Sequence, residues 1–277
     1  MSHPMKEKKL FLLDMDGTLY LGETLFPDTP AFLAQIRANG ANYMFLTNNS
    51  ARSVDSYVEK LTRLGISAVP EDFFTSAMAA VVYLQEHYAG KKVYVEGTRS
   101  LRQELESAGF VTADGPDGDV DLLLAGYDTE LTFRKLEDAC ILLGRGIPFL
   151  ATHPDPTCPT EYGFAPDCGS VCEMLYNATG RRPDFVIGKP QPAMARLAMR
   201  QRGATPEQTV FIGDLLDTDI ACGVNAGVDT VFVLSGDGTE PAEAARLLKQ
   251  ATDHVRSRQG PCLLRLTVPR LQGHSFQ

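Results

Sequence analysis

The sequence predicts an α/β protein built on parallel strands. Three observations lead there. Short apolar runs alternate with amphipathic stretches along most of the chain. Several of those runs stop abruptly at Asp-, Asn- or Gly-containing turns, as buried strands feeding helices do. Hydrophobic residues make up 44% and charged residues 22% of 277 positions, enough apolar material to bury one large core or two modest ones.

In order along the chain, residues 9–13 read as a buried strand, 31–39 as a helix ended by Gly40, and 41–46 as a second strand. Ser53 suits a helix N-cap, because Val54, Tyr57, Val58, Leu61 and Leu64 follow at helical spacing and Gly65 closes the run. A further helix is expected over 76–87. The middle repeats the grammar, with strands at 92–96, 121–125 and 148–151 and helices at 100–108, 132–143 and 170–178. Strong strand signals return at 185–187, 209–212 and 230–234, with helices at 192–202 and 218–226 between them. Beyond Asp253 the periodicity fades. Residues 254–277 carry Arg256, Arg258, Arg265 and Arg270 and no acid, and read as a loosely packed, basic end.

The formal charge of −9 disfavours general nucleic-acid binding, because such a surface repels a phosphate backbone. A few local cations can still reverse the field in one cleft and admit a small phosphorylated molecule. No apolar run reaches the roughly 18 residues needed to span a bilayer. Lys6, Lys8 and Lys9 before Leu10-Phe11-Leu12-Leu13 faintly resemble a leader, but the run stops at Asp14, so a first strand and a cytoplasmic protein are expected. Six cysteines include no CxxC pair. Cys168 and Cys172, four apart, offer too few ligands for zinc, and reduced thiols are expected.

Chemistry concentrates in four segments. Asp14-Met15-Asp16-Gly17-Thr18 places two carboxylates at a strand end, where like charges about 4 Å apart repel by roughly 4 kcal/mol at an effective dielectric near 20. A divalent cation is the usual compensation. Thr47-Asn48-Asn49-Ser50 follows the second strand and offers a hydroxyl, amides and backbone N–H groups to a phosphate. Gly188-Lys189-Pro190 fixes an ammonium after the strand at 185–187. Gly213-Asp214, with Asp217 and Asp219, sets a carboxylate cluster after the strand at 209–212. All four are expected at the C-terminal ends of parallel strands, the edge at which open α/β sheets bind ligands.

These segments, in this order, resemble the haloacid dehalogenase superfamily of phosphatases, and within it the NagD-like and 4-nitrophenylphosphatase group. The resemblance rests on Asp14 through Gly22, on Leu46-Thr47-Asn48-Asn49-Ser50, on Ile187-Gly188-Lys189-Pro190 and on Gly213 through Ile220. Gly126 through Thr132 and Ala178-Thr179-Gly180 add to it, and it spans about residues 8 to 240. Leu215 stands where the group has a polar residue or Arg. The resemblance implies a Rossmann-like, doubly wound, mostly parallel core at 1–80 and 184–277, with an inserted α/β cap at 81–183 that closes over the site. It implies a Mg²⁺-dependent phosphatase acting on a small phosphomonoester, of sugar phosphate or nucleoside monophosphate type, with a homodimer through the cap as a possible assembly. The same core would serve a phosphotransferase, or a non-catalytic regulator that binds Mg²⁺ and a phospho-ligand. A response-regulator receiver is about half as long and carries its acidic pair on a different strand from its phosphoacceptor.

In the chemistry so implied, Asp14 attacks phosphorus and forms an aspartyl phosphate, and Asp16 protonates the leaving oxygen and then takes a proton from the hydrolytic water. Mg²⁺ would be held by Asp14, the Asp16 carbonyl and Asp214. Thr47, Asn48 and Asn49 would bind phosphoryl oxygens, and Lys189 would neutralise transition-state charge. Asp219 would lie behind them, orienting Lys189 or metal-bound water. Asp155 and Cys158, in a loop over 152–161, are candidates for contact with the leaving group.

Overall fold

The computed structural model describes residues 4–160, 163–235 and 263–266. The chain falls into two compact units, Met1–Phe45 with Met199–Gln277, and Leu46–Ala198. The expected cap limits, 81 and 183, both fall inside the second unit.

The chain opens with β1 (Leu10–Leu13), buried at all four positions. An antiparallel hairpin of β2 (Tyr20–Leu21) and β3 (Thr24–Leu25) follows, then α1 (Thr29–Ala38), which turns Leu33 and Ile36 inward, and β4 (Asn42–Thr47). In the second unit come α2 (Val54–Arg63), β5 (Phe73–Thr75), α3 (Ser76–His87), β6 (Lys92–Glu96), α4 (Arg99–Ser107), β7 (Val111–Ala113) and β8 (Leu122–Ala125). They are followed by α5 (Phe133–Gly144), β9 (Phe149–Ala151), the hairpin of β10 (Thr157–Thr160) and β11 (Gly163–Pro166), α6 (Cys168–Thr179) and β12 (Phe185–Val186). After α7 (Ala193–Arg202) the chain returns through β13 (Thr209–Gly213), a π turn over Leu216–Ile220, α8 (Ala221–Ala226), β14 (Asp229–Val233) and β15 (Leu263–Leu266).

In the first unit the strands lie in the order β15, β14, β13, β1, β4, all parallel. β1 sits between β13 and β4, with Leu13 opposite Ile212 on one side and Phe45 on the other. That register decides the site. It releases Asp14 from one strand beside Gly213-Asp214 from the next, and the Asp14 N–H continues the ladder by donating to the Ile212 carbonyl at 2.9 Å. Leu12, Leu13, Met44, Phe45 and Phe211 fill the interior at this level, each essentially unexposed.

The second unit carries its own parallel sheet, in the order β12, β9, β8, β6, β7. Its core joins Leu123, Phe149 and Ala151 of the sheet to Leu142 of α5 and Val171, Cys172 and Leu175 of α6. Ser53 caps α2 as its sequence suggests, by accepting the Ser56 N–H. Thr75, Thr98 and Thr132 cap α3, α4 and α5 in the same way.

Three expectations change. The strand expected at 185–187 pairs with β9, so Gly188-Lys189 follows the second sheet while the other three segments follow β1, β4 and β13 of the first. The pairing is fixed from both sides of the ladder, because the Asp184 N–H donates to the Phe149 carbonyl and the Phe149 N–H donates to the Asp184 carboxylate, at 2.7 and 2.8 Å. The helix expected over 218–226 begins as a π turn, and the Asp219 carboxylate accepts the Leu215 N–H at its start (3.1 Å). The loop expected over 152–161 runs into β10 and its hairpin with β11. Apart from the backbone of Leu263–Leu266, the basic end at 254–277 lies outside the described residues, as does Cys262. The other five cysteines are free thiols. Among the described residues, no helix is long and apolar enough to cross a membrane.

Candidate active site

The first unit gathers three carboxylates where β1 and β13 end. Asp14, Asp214 and Asp219 each present an oxygen, and the three oxygens lie within 4.8 Å of one another. At an effective dielectric near 20, each such pair repels by at least about 3.5 kcal/mol. Protein groups offset part of this. The Thr18 hydroxyl donates to Asp214 Oδ1 at 3.1 Å and lies 3.5 Å from Asp14 Oδ2, so one side chain ties the two motifs together. The set is all hard oxygen, with no histidine or cysteine in it, which is the donor chemistry of a divalent cation such as Mg²⁺.

Two glycines admit this cluster. Gly17 has φ +84°, and a Cβ there would stand 2.3 Å from Asp214 Oδ2. At Gly213 a Cβ would stand 2.3 Å from the Cβ of Asp219. Both replacements would drive a carboxylate out of the group. Asp16 points differently: it is exposed, while its neighbours Met15 and Gly17 are buried. Its backbone forms an isolated bridge to Tyr20, within a tight turn closed by the Gly17 N–H to the Tyr20 carbonyl (2.7 Å).

The second unit holds Thr47, Asn48, Asn49, Asp155, Cys158 and Lys189. Asn48 is its hub. The Lys189 N–H donates to Asn48 Oδ1 at 2.8 Å, and Asn48 Nδ2 donates to the Lys189 carbonyl and to Asp155 Oδ2, both at 3.0 Å. The Ser76 hydroxyl holds the Asn48 carbonyl at 2.5 Å. Lys189 is buried, and its Nζ reaches the Leu46 carbonyl at 3.4 Å. Gly188 permits this clamp, since a Cβ there would meet Asn48 Oδ1 and the Thr152 carbonyl at 2.6 Å. Thr47 Oγ1 accepts the Asn49 N–H (3.2 Å) and Asn49 Oδ1 accepts the Ala51 N–H (3.0 Å). The segment is thus a self-braced turn three residues ahead of the α2 cap, and the Asn48 amide serves the scaffold. Cys158 lies on β10 against Tyr127, whose hydroxyl is pushed above its ordinary pKa by burial first and by that sulfur second.

Comparison with known proteins matches this arrangement to a family. Residues 11–111 match the haloacid dehalogenase-like hydrolases, and residues 186–258 match a second, HAD-hydrolase-like description. An acid sugar phosphatase of Staphylococcus aureus is 36% identical over 235 residues, 85% of this chain and 90% of that protein. The chain is a haloacid dehalogenase-like hydrolase. Among solved structures, a 4-nitrophenylphosphatase from Thermotoga maritima superposes with a TM-score of 0.83 at 34% identity, over 88% of this chain and 92% of that one. A glycerol phosphate phosphatase from Mycobacterium tuberculosis, solved with magnesium, gives 0.81 at 32% identity, over 88% and 73%. A putative NagD protein is equally similar, at 0.81 and 34%, and places this hydrolase in the NagD-like group.

The geometry of this hydrolase adds contacts that the motifs do not show. Thr18 belongs to the first motif, and its bridge between Asp14 and Asp214 depends on the β1–β13 register. Asp219 lies among the carboxylates themselves rather than only behind them. Leu215, at the position where the group carries a polar residue or Arg, is 46% exposed and contributes its backbone N–H to Asp219. Ser50 Oγ, 3.2 Å from Thr152 Oγ1, accepts the Tyr127 N–H and locks the turn to the second sheet.

Proposed function

We propose that this hydrolase removes phosphate from a small phosphomonoester through an aspartyl phosphate on Asp14. The observation that carries the reading is the trio of Asp14, Asp214 and Asp219, with the exposed Asp16 two residues after Asp14. Its relatives named above, an acid sugar phosphatase and a glycerol phosphate phosphatase, support a sugar or polyol phosphate ahead of a nucleoside monophosphate.

Asp14 Oδ attacks phosphorus as the ester P–O bond breaks, and Asp16 delivers its proton to the departing oxygen. Asp16, now a carboxylate, takes a proton from the water that attacks the acyl phosphate, which regenerates Asp14 and releases inorganic phosphate. Thr47 and the backbone N–H groups of Asn48 and Asn49 engage phosphoryl oxygens, and the Lys189 ammonium neutralises their charge. Asp14, the Asp16 carbonyl and Asp214 would hold Mg²⁺, with Asp219 among the same carboxylates, and such an ion would supply positive charge that lowers the repulsion between the Asp14 carboxylate and an anionic substrate. Asp155 and Cys158 belong to the segment that meets the leaving group. Residues 81–183 act as the cap on a core of 1–80 and 184–277, the protein works in the cytoplasm, and a homodimer forms through the cap.

Turnover of 4-nitrophenyl phosphate and a panel of sugar, polyol and nucleoside phosphates, with Mg²⁺ and with EDTA, tests this. Activity should need the metal and vanish in Asp14→Asn. A wild-type protein inert on the whole panel, or an Asp14→Asn variant as active as wild type, would refute it.

A further inference from the structure

His153 is a buried side chain that the mechanism above does not use. It follows β9, has no exposed surface, and lies between two carboxylates: Nδ1 is 3.3 Å from Asp155 Oδ2 and Nε2 is 3.4 Å from Asp167 Oδ1. Neither nitrogen makes a hydrogen bond, but a carboxylate oxygen within 3.4 Å of each favours the charged imidazolium over the neutral ring. Each carboxylate also has a second tie. Asp167 caps α6 by accepting the Cys168 N–H at 2.6 Å. Asp155 Oδ2 accepts the Asn48 amide at 3.0 Å, and that amide clamps the Lys189 backbone through Oδ1 and Nδ2. The loop cannot easily move away, because Gly169 at the start of α6 donates to the Asp155 carbonyl at 2.8 Å and packs so closely that a Cβ there would stand 2.2 Å from the Pro154 carbonyl.

Asp155 therefore sits one amide away from the Lys189 backbone, and although burial works against its charge, His153 first, then the Asn48 amide and the Lys189 charge, hold it below the ordinary carboxylate range. An ionised carboxylate in that place is a rival for the ammonium and repels an incoming phosphate dianion. We propose that His153 is a positioning residue: as an imidazolium it neutralises Asp155 and holds it on Asn48, so that the Lys189 charge is directed at the phosphoryl group. The role rests on the reading of Lys189 as a phosphate-binding residue. The charge state agrees with the geometry. Burial alone would lower the His153 pKa, but Cys168, Asp155 and Asp167 outweigh it and raise it to about 9.

The test compares wild type, His153→Leu, and His153→Leu combined with Asp155→Asn, each confirmed folded by circular dichroism. Two readouts are taken: the affinity for inorganic phosphate, by calorimetry with Mg²⁺ present, and the kcat and KM for 4-nitrophenyl phosphate. His153→Leu should weaken phosphate binding at least tenfold and lower kcat/KM by a similar factor. Adding Asp155→Asn, which removes the uncompensated charge, should recover most of the lost affinity for inorganic phosphate. A merely structural histidine gives the opposite pattern, with the double variant no better than the single. That result, or an unchanged phosphate affinity in His153→Leu, overturns the proposal. If no ester is hydrolysed but phosphate still binds and follows the predicted pattern, the hydrolytic reading fails and the role of His153 stands. A wild-type protein that neither binds phosphate nor hydrolyses the ester overturns both.

Discussion

Gly17 and Gly213 are where the site is most exacting, because each stands where a carboxylate must pass close to backbone. At Gly17 two costs add. A side chain at positive φ costs about 1–2 kcal/mol, and its Cβ would stand on Asp214 Oδ2. Gly17→Ala is therefore expected to lose at least tenfold in Mg²⁺ affinity by calorimetry and to unfold at lower denaturant than wild type. Retention of wild-type metal affinity would show that Asp214 is not held where the turn places it. Thr18 is the milder neighbour, since Thr18→Val removes only the hydroxyl that bridges Asp14 and Asp214. The residue types at this scale were legible: the DxDGT run at a strand end identifies Asp14, Asp16 and Gly17 from charge repulsion and turn chemistry alone. The bridge by Thr18 and the direct place of Asp219 were not legible, because both depend on which strand lies beside β1.

At the scale of elements, two buried ionisable groups at strand ends of the second sheet set opposing expectations for sequence and structure. β6 falls on the residues its apolar pattern predicts, and its last residue, Glu96, would ordinarily be taken as the exposed end of the strand. It is instead fully buried, and neither carboxylate oxygen has a hydrogen-bond partner. Nothing local in Lys92–Glu96 announces this. The burial comes from residues distant in sequence, and Lys135 gives its ammonium to Asp128 (2.6 Å) and the Gly97 carbonyl (2.9 Å). Burial first, then the Asp128 charge, with Lys135 opposing, raise the Glu96 pKa to about 7. A carboxyl whose folded pKa lies above its unfolded value stabilises most at low pH, and that stability drains away between about pH 4.5 and 7. The loss is on the order of 3 kcal/mol. Glu96→Gln should remove this slope and be the more stable protein at pH 8, as read by urea unfolding at pH 5 and 8. His153 acts in a higher window. Its folded pKa of about 9 lies above the usual imidazole value, so its contribution is complete below about pH 6.5 and is lost as pH rises through 9. His153→Leu should flatten the upper limb and leave the lower one. A Glu96→Gln variant that loses stability at pH 8 would mean the buried carboxylate has a compensating partner.

For the molecule as a whole, the alternation of apolar runs was enough to read an α/β chain with parallel strands, because each such strand must be buried on both faces. Sheet membership was not readable that way. Phe185–Val186 is two residues long, and nothing in two apolar residues says that the partner is β9; the two hydrogen bonds between Asp184 and Phe149 decide it. The same limit applies to the order β15, β14, β13, β1, β4, which neighbouring segments of sequence do not encode. That order brings Asp14 and Asp214, two hundred residues apart in sequence, into one unit with Asp219. Metal binding should therefore stabilise the folded chain through the first unit. Ligand at a hundred times its dissociation constant adds about 2.7 kcal/mol, which for a chain of this size corresponds to a rise in Tm of roughly 5–10 °C. With Mg²⁺ set at that multiple of its measured Kd, scanning calorimetry should show such a shift. If the two units unfold in separate transitions, the one that moves should be that of the first unit. Asp214→Asn should lose most of the shift and, relieved of one repelling charge, should unfold no lower than metal-free wild type. A shift that survives in Asp214→Asn, or one confined to the second unit's transition, would place the ion elsewhere and leave the carboxylate trio without the cation that its charge requires.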